Sequence, residues 1–330
     1  MKAVARIRQL HLVVAVVALV VAAVLAIAAC GGASEPSGPT PGAAATGSPR
    51  SSPVPTTVTP TPGTETPAPS PPPSESPAQV MPTATPTSSR DCPADNAVRS
   101  WYYVPNDAHL VPQVPADVKR LLRAYRGLYV AKPGDKVVYL TFDEGYENGF
   151  TGRILDRLRA AGVTAAFFVT GDYVRENPEL VRRMVAEGHV VANHTDRHPS
   201  LPSLAGDTAA FSRELTATEK AFRRATGGEL ARLLRPPMGE YSARSLRLSR
   251  KRGYTTVFWS FAHRDWLVDD QPPVSTTVRR VLAGSHDGAV YLLHAVSRSN
   301  TEALPAVVVG LREQGYRIGS PTELVEKTGE

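Results

Sequence analysis

Short apolar runs alternate with amphipathic segments from about Val137 to the end of the chain. The apolar runs are rich in β-branched and aromatic residues and predict strands, whereas the segments between them have the spacing of one-sided helices. Asn177 followed by Pro178 marks one helix start, and a long amphipathic helix is predicted from about Asp207 to Thr226. Strand and helix alternate seven times, which predicts an α/β protein with a mainly parallel sheet, either closed into a barrel or open and doubly wound.

Ionisable side chains follow five of these predicted strands at or just past their carboxyl ends. They are Asp143, His194, Arg235, Asp265 and His294. In a barrel of parallel strands these ends share one rim, where active sites lie. An open sheet would spread the same side chains along one edge and bring few of them together. One polar strand end is ordinary, but five of chemically compatible types favour a (β/α) barrel with a site at its rim.

The N-terminal quarter of the chain has a different pattern. A basic start precedes an unbroken apolar run, which ends in small residues before Cys30 and predicts an export signal. The ending "IAAC" resembles bacterial lipoprotein signals, so we expect residues 1–29 to be a signal peptide and Cys30 to carry lipid. An uncleaved membrane helix is the alternative. Residues 30–90 are rich in Pro, Ser and Thr and cannot bury a core, which predicts a disordered linker. Residues 91–136 are expected to lead into a folded domain at 137–330.

Charge and cysteine content exclude two classes of protein. Half of the formal net charge of +6 comes from the basic residues of the predicted signal peptide. No basic cluster with interleaved aromatic residues follows, so we expect no nucleic-acid partner. If Cys30 carries lipid, Cys92 has no partner within the chain and no disulfide forms. We expect a monomer, exported and held at the cell membrane facing the wall.

Two stretches carry candidate metal chemistry. "TFDEG" places Asp143 and Glu144 together at a strand end, where adjacent carboxylates repel unless one meets a cation or a metal. "HTDRHP" places His194 and His198 four positions apart, a spacing at which two side chains face one way on a helical turn. Two histidines and a carboxylate are a common set for a catalytic divalent metal. Alone, the histidine pair is equally compatible with two solvated or hydrogen-bonded side chains.

Five motifs in order, "TFDEG", "HTDRHP", "RPPMG", "DW" and "LLH", resemble those of the polysaccharide deacetylases, carbohydrate esterase family 4. The longer stretches "YLTFDEGYENG", "RPPMGEYS", "VFWSFAHRDW" and "LLHAVSRSN" are similar to the delta-lactam-biosynthetic de-N-acetylases, which act on N-acetylmuramic acid in peptidoglycan. The resemblance extends from about Ser100 to the C-terminus. It implies a distorted (β/α) barrel at 137–330 and a bound divalent metal. Zinc is the first choice, with cobalt or another divalent ion as alternatives.

The resemblance also implies a role for each matching residue. Asp143 is the general base, Arg235 keeps it ionised, and His194 and His198 bind the metal. Glu144 stands where the wider family usually has a second Asp, so its ligation is open, with a slight preference for a ligand. His294 is the general acid and Asp265 fixes its tautomer and charge. The residues expected to form the substrate pocket are Tyr146, Pro236, Trp266 and Leu292. The histidines outside the motifs are interpreted as structural or surface residues: His189, His263 and His286.

The function that follows is metal-dependent removal of N-acetyl groups from cell-wall polysaccharide, foremost N-acetylmuramic acid of peptidoglycan. One alternative keeps the chemistry but changes the substrate to N-acetylglucosamine polymers or acetyl esters. Another is a non-catalytic wall-binding lipoprotein, which the linker and Glu144 motivate.

Overall fold

The computed structural model of the protein describes residues 96–131 and 134–326. The predicted signal peptide, the linker, Cys30 and Cys92 lie outside the described residues. Within the described ranges, no helix is both long enough and apolar enough to span a bilayer.

The strands are β1 Arg99–Ser100, β2 Gly127–Leu128, β3 Val137–Glu144, β4 Ala166–Val169, β5 Val190–Asn193, β6 Ala231–Leu234, β7 Glu240–Tyr241, β8 Thr255–Val257, β9 Phe261–Ala262, β10 Ala289–His294 and β11 Arg317–Ile318. The α-helices are α1 Ala116–Ala124, α2 Thr151–Ala161, α3 Gly171–Glu176, α4 Pro178–Ala186, α5 Leu201–Leu204, α6 Thr208–Thr226, α7 Ala243–Lys251, α8 Val274–Ala283, α9 Arg298–Glu313 and α10 Thr322–Glu326. One turn of 3₁₀-helix, Pro237–Gly239, follows β6.

The main sheet is parallel and curled towards closure. Its order is β2-β8-β6-β5-β4-β3-β10-β9, with β11 beside the start of β3. Directly after the edge strand β2, Val130 forms a bridge with Ala289 of β10, so the two ends of the sheet approach each other. The predicted distorted barrel is confirmed. β1 and β7 form a separate antiparallel pair.

Side chains of β3 alternate between two cores, as the pleat of a strand requires. Val138, Leu140 and Phe142 pack outwards against the helices. Val137 and Tyr139 point into the barrel, where Leu324 of α10 joins them. Helices cover the outer face of the sheet, and the inner face lines the barrel. A residue at an odd or an even position in a strand therefore points either to the helices or to the interior, and only an inward side chain can reach the rim. We call this the parity of the residue.

The segment before β3 contributes to the folded unit. Trp101 stacks on Phe258 with ring centroids 4.4 Å apart, and its indole nitrogen donates to the carbonyl oxygen of Trp259. Val118 and Leu122 of α1 pack in the same cluster. The predicted lead-in therefore supplies an edge strand and a small core beside the barrel.

Candidate active site

Four of the polar side chains at the rim have the inward parity of the strands that carry them. Asp143 continues the inward row of β3, and His194 continues that of Val190 and Ala192 in β5. Arg235 and His294 follow the inward residues of β6 and β10 in the same way. Asp143, His194, His198 and His294 line one cavity of about 630 Å³. The polar residues predicted from five strand ends thus meet at one place.

Arg235 and Asp143 form a buried ion pair. The Nη1 of Arg235 donates to the Oδ1 of Asp143 at 2.7 Å, and its Nε donates to the carbonyl oxygen of Val257 at 3.2 Å. The guanidinium also lies 4.0 Å from the centroid of the Phe168 ring. Burial raises the pKa of Asp143, but the charges of Arg235, His194 and His294 and the hydrogen bond from Arg235 together outweigh burial and hold that pKa below its ordinary value. Asp143 is therefore an ionised carboxylate in a closed environment.

His194 presents an unprotonated nitrogen to that carboxylate. Its Nδ1 lies 2.8 Å from the carbonyl oxygen of Arg235, which can only accept, so Nδ1 carries the proton and Nε2 has a free lone pair. Burial lowers the pKa of His194 to about 4, which keeps the ring neutral. Nε2 faces the Oδ2 of Asp143 at 3.6 Å. Two acceptors facing each other in this way repel, and a cation between them removes the repulsion.

His198 completes the set of donors. Its ring centroid is 4.8 Å from that of His194, with the rings at 73°. Two imidazoles beside a carboxylate oxygen are a donor set that fits a divalent ion such as zinc. Among the residues that the structure describes, no three His, Cys, Asp or Glu side chains are spaced as a complete site. The ligands offered are therefore the two histidines, with Asp143 Oδ2 as the nearest carboxylate oxygen.

The segment that carries both histidines is a strained loop rather than a helical turn. Thr195 and His198 have φ values of 67° and 59°, in the left-handed region that residues other than glycine rarely adopt. The Glu214 Oε2 of α6 accepts hydrogen bonds from the backbone nitrogens of Asp196 and Arg197, at 2.9 and 3.1 Å. Tertiary contacts therefore impose the loop conformation.

Glu144 lies outside this site, which corrects the slight preference for ligation. Its parity is that of Phe142, so its side chain points towards the helices and is buried there. Its Oε2 accepts from the Thr151 hydroxyl at 3.4 Å, and that hydroxyl is 3.1 Å from the Tyr173 hydroxyl. Burial, then the charges of Glu147 and Asp143, raise the pKa of Glu144 well above its ordinary value. The side chain belongs to a buried polar cluster on the far side of the sheet.

His294 and Asp265 form the second charged pair of the rim. His294 Nδ1 is 2.7 Å from Asp265 Oδ1, and the backbone nitrogen of His294 donates to Oδ2 at 2.8 Å. Burial lowers the pKa of His294, but the charge and hydrogen bond of Asp265 together with the charge of Asp143 raise it by more, so the net shift is upward. Because Asp265 holds Nδ1–H, the Nε2 of His294 is the atom available to carry a second proton.

The predicted pocket residues are placed unequally. Tyr146, Trp266 and Leu292 line the cavity, and Trp266 lies edge-on to His294 at 5.7 Å between ring centroids. Pro236 is buried and precedes the 3₁₀ turn, and it is not among the residues that line this cavity. Gly239 lines the cavity with φ 67°, and a Cβ there would lie 2.8 Å from the Trp259 ring.

Five lining residues were missed from the sequence: Gly145, Met238, Gly239, Trp259 and Val296. Each stands within or next to a quoted motif, but only the fold shows that it faces the cavity. The three histidines interpreted as structural or surface residues, His189, His263 and His286, are all buried. His189 accepts from the backbone nitrogen of Ala165, and His286 bonds to the Ser260 hydroxyl. His263 instead contacts Asn300, beside Asp265.

A parallel barrel with a buried Asp–Arg pair, two histidines and a His–Asp pair at one rim is the arrangement of a barrel enzyme that works by acid–base chemistry. Residues 131–257 match the family model described as polysaccharide deacetylase. The chain is 37% identical over 226 residues to the peptidoglycan-N-acetylmuramic acid deacetylase PdaA of Bacillus subtilis, covering 68% of this chain and 85% of that protein. It is 39% identical over 211 residues to a chitooligosaccharide deacetylase of Bradyrhizobium, covering 60% and 94%.

The solved structure of Bacillus subtilis PdaA, a family 4 carbohydrate esterase, superposes with a TM-score of 0.68 and 36% identity, covering 71% of this chain and 99% of that chain. The chain belongs to the polysaccharide deacetylase family, carbohydrate esterase family 4, and is a deacetylase.

Proposed function

We propose that this protein removes the acetyl group from N-acetylmuramic acid residues of peptidoglycan, with a divalent metal held by His194 and His198. One observation carries the proposal. His194 Nε2 lies 3.6 Å from Asp143 Oδ2, in the cavity that His294 also lines. The similarity to a relative named for that substrate supports the choice of sugar.

The protein's own side chains account for both proton transfers. Asp143, kept ionised by Arg235, takes a proton from the water that attacks the acetyl carbonyl carbon. As the carbon–nitrogen bond breaks, His294 donates a proton to the departing nitrogen, and Asp265 stabilises its positive charge. The products are acetate and a free amine, and exchange with solvent resets both groups. A bound divalent ion supplies Lewis acidity, which polarises the carbonyl and lowers the pKa of water.

The rim of the cavity suits a sugar rather than a small acyl compound. Tyr146, Met238 and Trp266 line it, and their side chains remain 50%, 57% and 47% exposed. Exposed aromatic faces beside the general acid can pack against a pyranose ring while its acetyl group enters the cavity. The second candidate is an N-acetylglucosamine polymer, which the similarity to a chitooligosaccharide deacetylase favours.

The test is a comparison of glycans with the zinc-loaded full chain. Purified peptidoglycan, glycan strands freed of peptide, chitooligosaccharides and an acetyl ester are incubated in parallel. Released acetate is measured and the free amine is located by mass spectrometry. Free amine on muramic acid supports the proposal. Free amine on glucosamine residues alone supports the second candidate, and acetate from the ester alone overturns both. An Asp143→Asn chain loaded with zinc is the matched control for contaminating activity.

Placement of the enzyme is part of the proposal. A basic start, an apolar run and "IAAC" before Cys30 support export and lipid attachment, with residues 30–90 as a tether between membrane and wall. A substrate fixed in the wall then lies within reach of the catalytic domain.

A further inference from the structure

Asp265 has a third donor besides the two of His294. Asn300 lies in the first turn of α9, and its side-chain Nδ2 donates to Asp265 Oδ2. The same Nδ2 is 3.3 Å from the carbonyl oxygen of His294. Asn300 is buried, so its amide does not exchange these partners for water. Both oxygens of Asp265 are therefore held by donors, one by His294 Nδ1 and the other by His294 N and Asn300.

His263 sets which way the Asn300 amide points. The Nε2 of His263 is 3.0 Å from the Oδ1 of Asn300. An amide oxygen only accepts, so Nε2 is the protonated nitrogen of His263 and Oδ1 must face it. With Oδ1 fixed there, Nδ2 is directed to Asp265. The opposite orientation would place the amide oxygen against the carboxylate and the amino group against the N–H of His263, losing the three hydrogen bonds of the amide.

His263 is linked to Asp265 through Asn300 and not by a direct hydrogen bond. His263 Nε2 is 3.9 Å from Asp265 Oδ2, beyond hydrogen-bonding distance. The side chain of His263 is 4% exposed, and burial lowers its pKa, so it is a neutral donor. His263, Asn300, Asp265 and His294 thus form one chain of hydrogen bonds that ends at the cavity.

Capping of α9 does not account for the Asn300 side chain. Ser297 caps this helix, because its hydroxyl accepts from the backbone nitrogen of Asn300 at 3.1 Å. The amide of Asn300 makes its bonds to the catalytic pair and to His263 instead. We propose that Asn300 is a positioning residue for deacetylation, fixing the Asp265 carboxylate that aims His294, and that His263 fixes the Asn300 amide. This role rests on the family's deacetylase activity and not on which sugar is the substrate.

The test separates positioning from packing with paired substitutions in the zinc-loaded full chain. Asn300→Leu keeps the volume and removes all three hydrogen bonds of the amide. His263→Leu removes the donor to Asn300, whereas His263→Gln keeps an N–H that can reach the same oxygen. Thr301→Val is the matched control, because Thr301 is buried in the same turn and its hydroxyl donates to the Ser297 carbonyl oxygen. Acetate release is measured on whichever glycan the wild-type chain deacetylates, together with bound zinc and the thermal midpoint.

We expect Asn300→Leu to lower kcat by roughly 10- to 100-fold, the usual cost of losing an outer partner of a catalytic group, with KM and bound zinc unchanged. His263→Leu should lower kcat in the same direction, and His263→Gln should restore most of it. Thr301→Val should match the wild type. If Asn300→Leu does not fold, the comparison of the two His263 variants still tests the proposal. Equal kcat values in His263→Leu and His263→Gln overturn it.

A spectroscopic measurement needs no substrate and so separates this inference from the proposed function. In selectively ¹⁵N-histidine-labelled chain, the Nδ1–H of His294 should give a protected downfield proton resonance. Broadening or loss of that resonance in Asn300→Leu, with unchanged zinc content, supports the proposal. An unchanged resonance together with unchanged kcat overturns it.

Discussion

Asp143 and Glu144 are consecutive residues of one strand, yet their carboxylates lie on opposite faces of the sheet. Asp143 accepts a hydrogen bond from Arg235 and faces His194 inside the barrel. Glu144 instead accepts a hydrogen bond from Thr151 on the side of the helices. The pleat of β3 separates them, since successive side chains point to opposite faces. The pair that looked like a double acid in the sequence is one catalytic candidate and one buried structural residue.

Glu144→Gln should therefore leave catalysis and metal binding unchanged. The raised pKa of Glu144 indicates a protonated carboxyl, which glutamine imitates in shape and polarity. We expect zinc affinity and kcat within about two-fold of wild type and no loss in thermal midpoint. Zinc titration against a competing chelator measures this, with His194→Ala as the positive control. A loss of zinc affinity as large as that of His194→Ala would show that Glu144 reaches the metal.

Asp143→Asn should separate catalysis from metal binding. The amide keeps the shape of the carboxylate but cannot take a proton, so kcat should fall by about 10²- to 10⁴-fold, the usual contribution of a general base. His194 and His198 remain, so zinc should stay bound. His194→Ala with His198→Ala should lose both zinc and activity. Metal analysis and acetate release on the same preparations check the outcome, and full zinc occupancy in the double variant contradicts the assignment.

Asp265→Asn should move the alkaline limb of the pH profile to lower pH. His294 must be protonated to act as an acid, so activity falls as pH rises through its pKa. Asp265 raises the pKa of His294, and removing its charge lowers that pKa. The limb should therefore appear at lower pH in kcat/KM measured across a buffer series. A limb that stays in place, or moves upward, argues that another group gives rise to it.

Glu214→Gln should weaken metal binding although Glu214 is remote from the metal. Its carboxylate holds the backbone nitrogens of Asp196 and Arg197, within the loop that positions both histidines. We expect zinc affinity to fall by roughly 10- to 100-fold, as is typical when an outer support of a metal ligand is lost. Glu219→Gln on the same helix is the control, because Glu219 bonds to Arg232 and Tyr254 instead. Equal affinities in the two variants would contradict this role.

Cys30→Ser should release the protein from the membrane without changing its specific activity. The prediction follows from the "IAAC" ending of the apolar run. Fractionation of cells expressing each form, with acetate release per mole of chain, measures both quantities. Membrane retention equal to wild type would favour an uncleaved helix.

Local signals in the sequence determined the elements. The helix expected near Asp207 to Thr226 is found as Thr208–Thr226, with Asp207 accepting two backbone hydrogen bonds as its N-cap. Pro178 begins α4, as its fixed φ favours. Caps and turn residues act over a few positions, so a short stretch of sequence contains the whole interaction. The rule that strand ends share a rim likewise placed Asp143, His194 and His294 around one cavity.

Tertiary structure decided which of these residues face each other. The parity of β3 excluded Glu144, and Glu214 imposed a left-handed loop on the histidine pair where a helical turn was conceivable. His263, interpreted from sequence as a structural or surface residue, reaches the Asp265–His294 pair through Asn300, 37 positions along the chain. Such bonds depend on how helices and strands pack, and packing energy is shared among many distant residues. A local pattern therefore names the chemical groups, and only the folded chain fixes their distances.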